Sequence, residues 1–398
     1  MVNLDYLYNP DAAKAYFGKN YFVDKKLGFQ VIEKGMILPH KDVWVNGKWT
    51  LGKGGIVNSN GEFINDSFIH PQISGAYTPP PESIQHSNQT VIYLGLWFPV
   101  WGHIITDDIR FLWFLKSDAF KSEFKNCPIV YVPWDRTTID TFPDFKRLIE
   151  ILEVDVDKLQ PITQPTTFDK IILPNKSFKS YHHTVLGFTN EFRETVDRVR
   201  SYGLKHSTPT SAKKLYFFHG KKGQFGEDRI AEYLKSKGYE IVNPGKQKLS
   251  FDEELNLLVN CESFAAGCGS SSLNSLFLRN GTETIFIPRI AYQFDLYQQI
   301  ADQVHPLNIN YVDSTLSVLS KRIDQGVFFY VVSERLKSFF GDKWNGYEEE
   351  DFKNFLQYAK HYLRKGLEIN PNLVNAYGKI NSARRGRRKG IRHSLSYA

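Results

Sequence analysis

Cysteine is scarce in this sequence, and its scarcity excludes two kinds of protein. Only Cys127, Cys261 and Cys268 occur in 398 residues. The number is odd and each lies in apolar surroundings. No disulfide framework is expected, and reduced core thiols point to a cytoplasmic protein. No Cys/His spacing matches a structural zinc site. Long apolar runs are missing too: none approaches the ~18 residues that would cross a bilayer. The N-terminus, MVNLDYLYNPDAAKAYF, has no basic segment followed by an apolar one, so no signal peptide is expected. At its most conspicuous Gly/Ser turn, GCGSSSL (267–273), the chain lacks three familiar loops. It has neither the G-K-[ST] of a Walker A loop nor a G-x-G-x-x-G, which excludes the two common phosphate-loop types. It also lacks the second glycine of the G-x-S-x-G elbow, which excludes a serine hydrolase of that type.

What is present is a folded, aromatic-rich chain. Hydrophobic residues make up 41% and aromatics 15%, too much for disorder. The length fits roughly two or three domains of ~150 residues. The net charge is +7, and much of it sits in Arg384, Arg385, Arg387, Arg388, Lys389 and Arg392. Such a block is either a solvated tail or a contact for an anionic membrane surface. The rest of the chain is near neutral, so no nucleic-acid partner is expected.

Residues 1–85 read as short strands and loops packed on the first domain, with a hairpin at VWVNGKW (43–49). From there strand and helix patterns alternate. Strands are expected at 90–98, 127–132 and 170–174, and helices at 102–116, 145–152 and 189–202. The polar stretch 203–214 is the expected linker. Strands then recur at 214–219, 239–244, 264–268, 284–288 and 309–312. Helices between them are expected at 227–237, 251–259, 273–278 and 292–304. Ser250 and Glu253 form a capping box for the helix at 251–259. The pattern predicts an α/β protein with two Rossmann-like domains facing a cleft, at 86–205 and 206–325. C-terminal helices (326–380) and a basic tail (381–398) follow.

Three constellations carry chemistry. His103 and Asp107 in WGHIITDDIRFLWFL (101–115) are four residues apart, so they share one helix face after a buried strand. Imidazole beside carboxylate is the composition of a general base. His219, Lys221 and Lys222 leave a strand end beside Gly220 and Gly223, where basic groups can neutralise a diphosphate. Gly269, Ser270, Ser271 and Ser272, with Asn274, dress a helix N-terminus with hydroxyls and unpaired N–H groups, which suits a sugar nucleotide. Asp155 and Asp157 form a D-x-D, but after a helix rather than a strand, so a surface turn is read there and not a metal site.

In order and spacing these motifs resemble glycosyltransferase family 61, whose bacterial members are associated with capsule, exopolysaccharide and lipopolysaccharide synthesis. The early motif is Trp101-Gly102-His103-Ile104-Ile105-Thr106-Asp107 followed by Arg110-Phe111-Leu112-Trp113. The later one is Gly269 to Phe277. Gly238, Tyr239, Pro244, Leu249 to Phe251, Glu253 and Glu254 fit the middle segment. His219 stands where the family usually has an arginine, and Cys268 where it often has a histidine. The resemblance covers roughly residues 90–290. It implies a GT-B fold and an inverting, metal-independent transfer with no cofactor beyond a nucleotide-sugar donor, a UDP-sugar first. Asp107 or His103 would be the base. His219, Lys221, Lys222, Glu254, Gly269, Ser270, Ser271, Ser272 and Asn274 would bind the donor. The acceptor would be a saccharide or a lipid-linked precursor, reached from the cytoplasm at the inner membrane face. The alternatives are another GT-B enzyme acting on a nucleotide sugar or polyol phosphate, or a non-enzymatic scaffold at the membrane.

Overall fold

Uninterrupted runs of Val, Ile, Leu and Tyr become strands buried on both faces, as parallel sheets covered by helices require. Residues 91–97 and 129–133 are all buried, and so are 264–266 and 284–287. The computed structural model describes residues 2–45, 48–67, 75–134, 138–181, 184–211, 213–220, 224–289, 297–315 and 328–364. The chain divides into two units. An N-terminal unit holds Asn20–Ser207 and Ser250–Asn256, and a C-terminal unit holds Met1–Lys19, Thr208–Leu249 and Leu257–Ala398. The first strand, β1 (Val2–Asn3), belongs to the C-terminal unit.

The N-terminal unit contains a seven-stranded mixed sheet. Its strands are β2 (Phe29–Glu33), β3 (Met36–Val45), β4 (Lys48–Val57), β5 (Gln85–Trp97), β6 (Ile129–Pro133), β7 (Leu159–Pro161) and β8 (Thr166–Pro174). The path is β4-β3-β8-β5-β6-β7, with β2 also on β8. β5, β6, β7 and β8 pair in parallel. In space they run β7-β6-β5-β8, the 3-2-1-4 order of a mononucleotide-binding half. The strands expected on either side of the hairpin at 43–49 pair antiparallel, with Trp44 opposite Trp49, and residues 46–47 between them lie outside the described residues. β7 and a second hairpin, β9 (Phe178–Tyr181) with β10 (Thr184–Phe188), were not anticipated.

The C-terminal unit contains six parallel strands. β11 (Lys214–Phe217), β13 (Glu240–Val242), β14 (Ser263–Gly267), β15 (Glu283–Ile287) and β16 (Asn308–Tyr311) lie in the order β13-β11-β14-β15-β16, closed at the far edge by β1. This is the 2-1-3-4-5 order of the other common doubly wound sheet. A short parallel pair, β12 (Gln224–Phe225) and β17 (Phe328–Phe329), stands apart. The protein is thus α/β.

The division of the chain differs from the expected one at three places. Residues 1–19 join the C-terminal unit instead of packing with 20–85, because β16 would otherwise present a bare edge. Val2 pairs with Ile309, and the Tyr8 amide donates to Asp313 Oδ2 at 2.7 Å. The capping box forms as expected, but Ser250–Asn256 group with the N-terminal unit. There Asp252 Oδ2 accepts from Arg147 Nε at 2.6 Å and Phe251 meets Trp101 edge-on. The helices Glu334–Phe339 and Glu349–Arg364 belong to the C-terminal unit rather than forming a region of their own. The basic tail, Lys221 and Lys222 lie outside the described residues. Among the described residues, no helix is long and apolar enough to cross a membrane. Cys261 and Cys268 are buried free thiols, both pushed up to about 12 by burial, and Cys127 is half-buried.

Candidate functional site

Ligands of open parallel sheets sit at the carboxyl ends of strands, where the strand order reverses. In the N-terminal unit the reversal lies between β5 and β8. β5 leads into a segment that is not the regular α-helix expected at 102–116. Trp101–His103 is α-helical, Ile104–Asp108 forms a π turn, and Ile109–Lys116 tightens to a 3₁₀ helix. Two features account for this. Thr106 Oγ1 donates back to the Gly102 carbonyl at 2.7 Å, a bond that bends helices. Gly95 has φ +91°, and a Cβ there would lie 2.8 Å from the Phe111 ring, so this glycine lets the 3₁₀ segment press onto the strand. π turns of this kind recur at functional sites.

The distorted turn carries the candidate base. His103 Nδ1 and Asp107 Oδ2 are 2.7 Å apart. Asp107 Oδ1 accepts from Ser180 Oγ at 3.1 Å and faces Arg110 Nη1 at 3.6 Å. Asp107 and Arg110 are each 1% exposed, whereas the His103 side chain is 16% exposed. A carboxylate bound to Nδ1 holds the proton of the neutral ring there, which puts the ring's basic lone pair on Nε2. Asp107 therefore positions, and His103 is the group a solvent-side ligand can reach. Phe98 meets His103 edge-on at 5.1 Å and Trp134 at 4.6 Å, forming an aromatic wall beside the imidazole.

Charge is packed tightly around this pair. Asp108, also 1% exposed, accepts the Phe98 amide at 3.0 Å, while its Oδ1 has no hydrogen-bond partner among the described residues. Burial first, and then the Asp107 charge, raise the Asp108 carboxyl well above the ordinary range. Lys176, just past the end of β8, is lowered to about 7, by burial first and then by Arg110. Its Nζ stands 4.0 Å from Asp66.

In the C-terminal unit the reversal lies between β11 and β14. β11 runs out into His219 and Gly220, and β14 into Cys268, Gly269 and the 3₁₀ helix Ser270–Phe277. His219 Nδ1 and Ser271 Oγ close the gap at 3.1 Å. The His219 turn is tied down from below. Glu227, 1% exposed, accepts the His219 amide at 2.8 Å and the Gly220 amide at 2.9 Å. Burial raises its carboxyl, and those two amides oppose the rise. Ser272 Oγ accepts the Gly269 amide at 3.0 Å and donates to the Gly269 carbonyl at 2.7 Å. Gln298 Nε2 also donates to that carbonyl, at 3.1 Å.

No family model matches the chain, and no curated protein matches it.

The residues expected from the sequence therefore divide. His103 and Asp107 meet in one unit. His219, Gly269, Ser270 and Ser271 meet in the other and keep accessible surface. Ser272 and Asn274 are 0% and 3% exposed and face the interior, with Ser272 bracing the turn. Glu254 falls in the N-terminal unit, 8% exposed and raised to about 8, by burial first and then by Asp144. It is not among the residues of the Gly/Ser turn. Asp155 and Asp157 are exposed, and the Asp155 carboxylate caps its own 3₁₀ turn. Arg110, Lys176, Ser180, Glu227 and Arg289 were missed. Arg110 and Glu227 lie only three and eight residues from Asp107 and His219 but carried no motif for a supporting role, and the other three are brought to the sites only by the strand order.

Proposed function

We propose that the protein is an inverting, metal-independent glycosyltransferase of the GT-B type. It would move a sugar from a nucleotide donor to a saccharide or lipid-linked acceptor, in capsule, exopolysaccharide or lipopolysaccharide synthesis. One observation carries the proposal. Each of the two sheets presents a polar cluster at the carboxyl ends of parallel strands beside its order reversal, His103–Asp107 after β5 and His219–Ser271 across β11 and β14. The two clusters differ in the way the two halves of this reaction differ.

His103 Nε2 takes the proton of the acceptor hydroxyl as its oxygen bonds to the anomeric carbon. The bond from that carbon to the diphosphate oxygen breaks on the opposite face, so configuration inverts. Charge on the leaving diphosphate is met by the donors of His219 and of the Gly269–Ser271 turn. Phe98 and Trp134 give an acceptor sugar an apolar wall beside the base.

A melting-temperature screen with UDP, GDP and CMP tests this directly, because a ligand that binds only the folded state stabilises it by mass action. At a hundred times Kd the gain is about 2.7 kcal/mol. UDP is expected to stabilise most, and sugar release from the matching donors then identifies the sugar. No stabilisation by any of the three would defeat the transferase reading in favour of a scaffold.

A further inference from the structure

We infer that Arg289 is the diphosphate-recognising residue of the C-terminal unit, a role this reading gives to no other arginine. The inference rests on the donor site proposed above. Arg289 follows Ile287 and Pro288 at the carboxyl end of β15, beside β14. Its guanidinium lies over the Gly/Ser turn: a Cβ on Gly269 would sit 2.7 Å from Nη2 and 2.8 Å from Cζ. Gly269 has φ +153°, and the missing side chain is what admits the guanidinium. The Phe328 ring holds the guanidinium plane, with Cζ 4.4 Å from its centroid.

The guanidinium is fixed but not spent. Among the described residues it makes no hydrogen bond or ion pair, and its Nε is buried without a partner. Glu227 is close enough for Arg289 to affect its carboxyl, yet its lone pairs are engaged by the His219 and Gly220 amides. A stacked arginine with open N–H edges matches phosphate oxygens in pairs, which a lysine cannot do. It stands at the same sheet end as His219 and Ser271. The ligand class is a diphosphate, borne by a nucleotide or free as pyrophosphate.

The test compares binding of UDP, uridine and pyrophosphate by calorimetry to the wild type, Arg289→Gln, Arg289→Lys and Gly269→Ala. Arg289→Gln should weaken UDP and pyrophosphate by about 10- to 100-fold, the loss of a charge-assisted pair, and leave uridine unchanged. Arg289→Lys should recover only part of this. Gly269→Ala, whose methyl displaces the guanidinium, should copy Arg289→Gln. Unliganded melting temperatures establish that each variant is folded. UDP binding that ignores Arg289 would overturn this inference and leave the donor site standing. Pyrophosphate binding that needs Arg289, without binding of any nucleotide, would sustain the anion site and sink the nucleotide donor. No binding of either by the wild type overturns both.

Discussion

Asp107→Asn changes hydrogen-bond polarity at the candidate base with almost no change in shape. In the wild type Oδ2 only accepts, so His103 Nδ1 carries the proton across the 2.7 Å bond and Nε2 keeps its lone pair. Oδ1 accepts from Ser180 and faces Arg110. Asparagine brings one acceptor and one amide donor to the same two directions. An NH₂ turned toward Arg110 would set a donor against a guanidinium where both residues are 1% exposed. Leaving a buried charged group unmatched costs more than losing a neutral hydrogen bond. The oxygen therefore faces Arg110 and Ser180, and the NH₂ faces His103. Nδ1 becomes the acceptor, the proton moves to Nε2, and Nε2 no longer accepts the acceptor hydroxyl's proton.

A wrong tautomer of this kind costs about 10⁴-fold in the Ser–His–Asp arrangement. That is ~5.5 kcal/mol at 1.36 kcal/mol per tenfold. Weakening the Arg110 counter-charge also destabilises the fold, by about 3 kcal/mol for a broken buried pair. Melting temperature must therefore be measured alongside. The tautomer is read without any substrate from imidazole ¹⁵N shifts: Nδ1–H in the wild type, Nε2–H in the variant. Transfer follows with the donor found by the nucleotide screen, and nucleotide affinity is expected to be unchanged. The same tautomer in both proteins, or transfer within tenfold of wild type in a folded variant, would refute the assignment.

Two buried groups give stability opposite pH slopes. Glu254 is raised to about 8, so the folded state holds a proton the unfolded chain releases, and stability falls as pH rises from about 4.5 to 8. The slope approaches ~1.4 kcal/mol per unit, and Glu254→Gln should remove it in pH-dependent denaturant titrations. Lys176 is lowered to about 7, so the unfolded chain binds the extra proton and stability rises with pH from about 7 to 10.5. Lys176→Met should flatten that window, and an unchanged slope there would mean the amine is not buried beside Arg110. Gly95→Ala should cost roughly 2–4 kcal/mol in chemical denaturation, from positive φ and a methyl 2.8 Å from Phe111. A cost below about 1 kcal/mol would show that the ring yields easily.

The sheets were legible because their central strands are long, apolar and free of alternation. The runs at 90–98, 127–132 and 284–288 leave little choice of structure. β7 was not legible: three residues, Leu159–Pro161, carry no period. The placement of 1–19 was hidden for a different reason. Its partner β16 is some 300 residues away, and nothing local in Val2–Asn3 names it. At the sites, i,i+4 spacing found His103 and Asp107, and the Gly/Ser turn found Gly269 and Ser271. The π turn that tucks Asp107 inward depends on Thr106 and Gly95 acting together, which no motif encodes. Arg289 was passed over because a lone arginine after a strand looks like any surface cation until its place over the Gly269 turn is seen.

The two clusters are built on opposite electrostatic plans, and the difference bears on function more than their shared topology does. Around His103, two aspartates at 1% exposure, Arg110 and Lys176 crowd a desolvated space. Burial first, and like charge second, push Asp108 toward its protonated form and Lys176 toward its neutral one, so protons are held close to release. Around His219 the acid has been neutralised as a competitor. Glu227, the carboxylate tied to the His219 turn, is buried, and its oxygens are occupied by two backbone amides. What faces outward from that turn is hydroxyl, imidazole and a guanidinium with no hydrogen-bond or ion-pair partner among the described residues. A surface of donors with its carboxylate withdrawn favours an anion, and an imidazole held through Nδ1 by a buried carboxylate favours a proton. An inverting transfer from a diphosphate leaving group requires both.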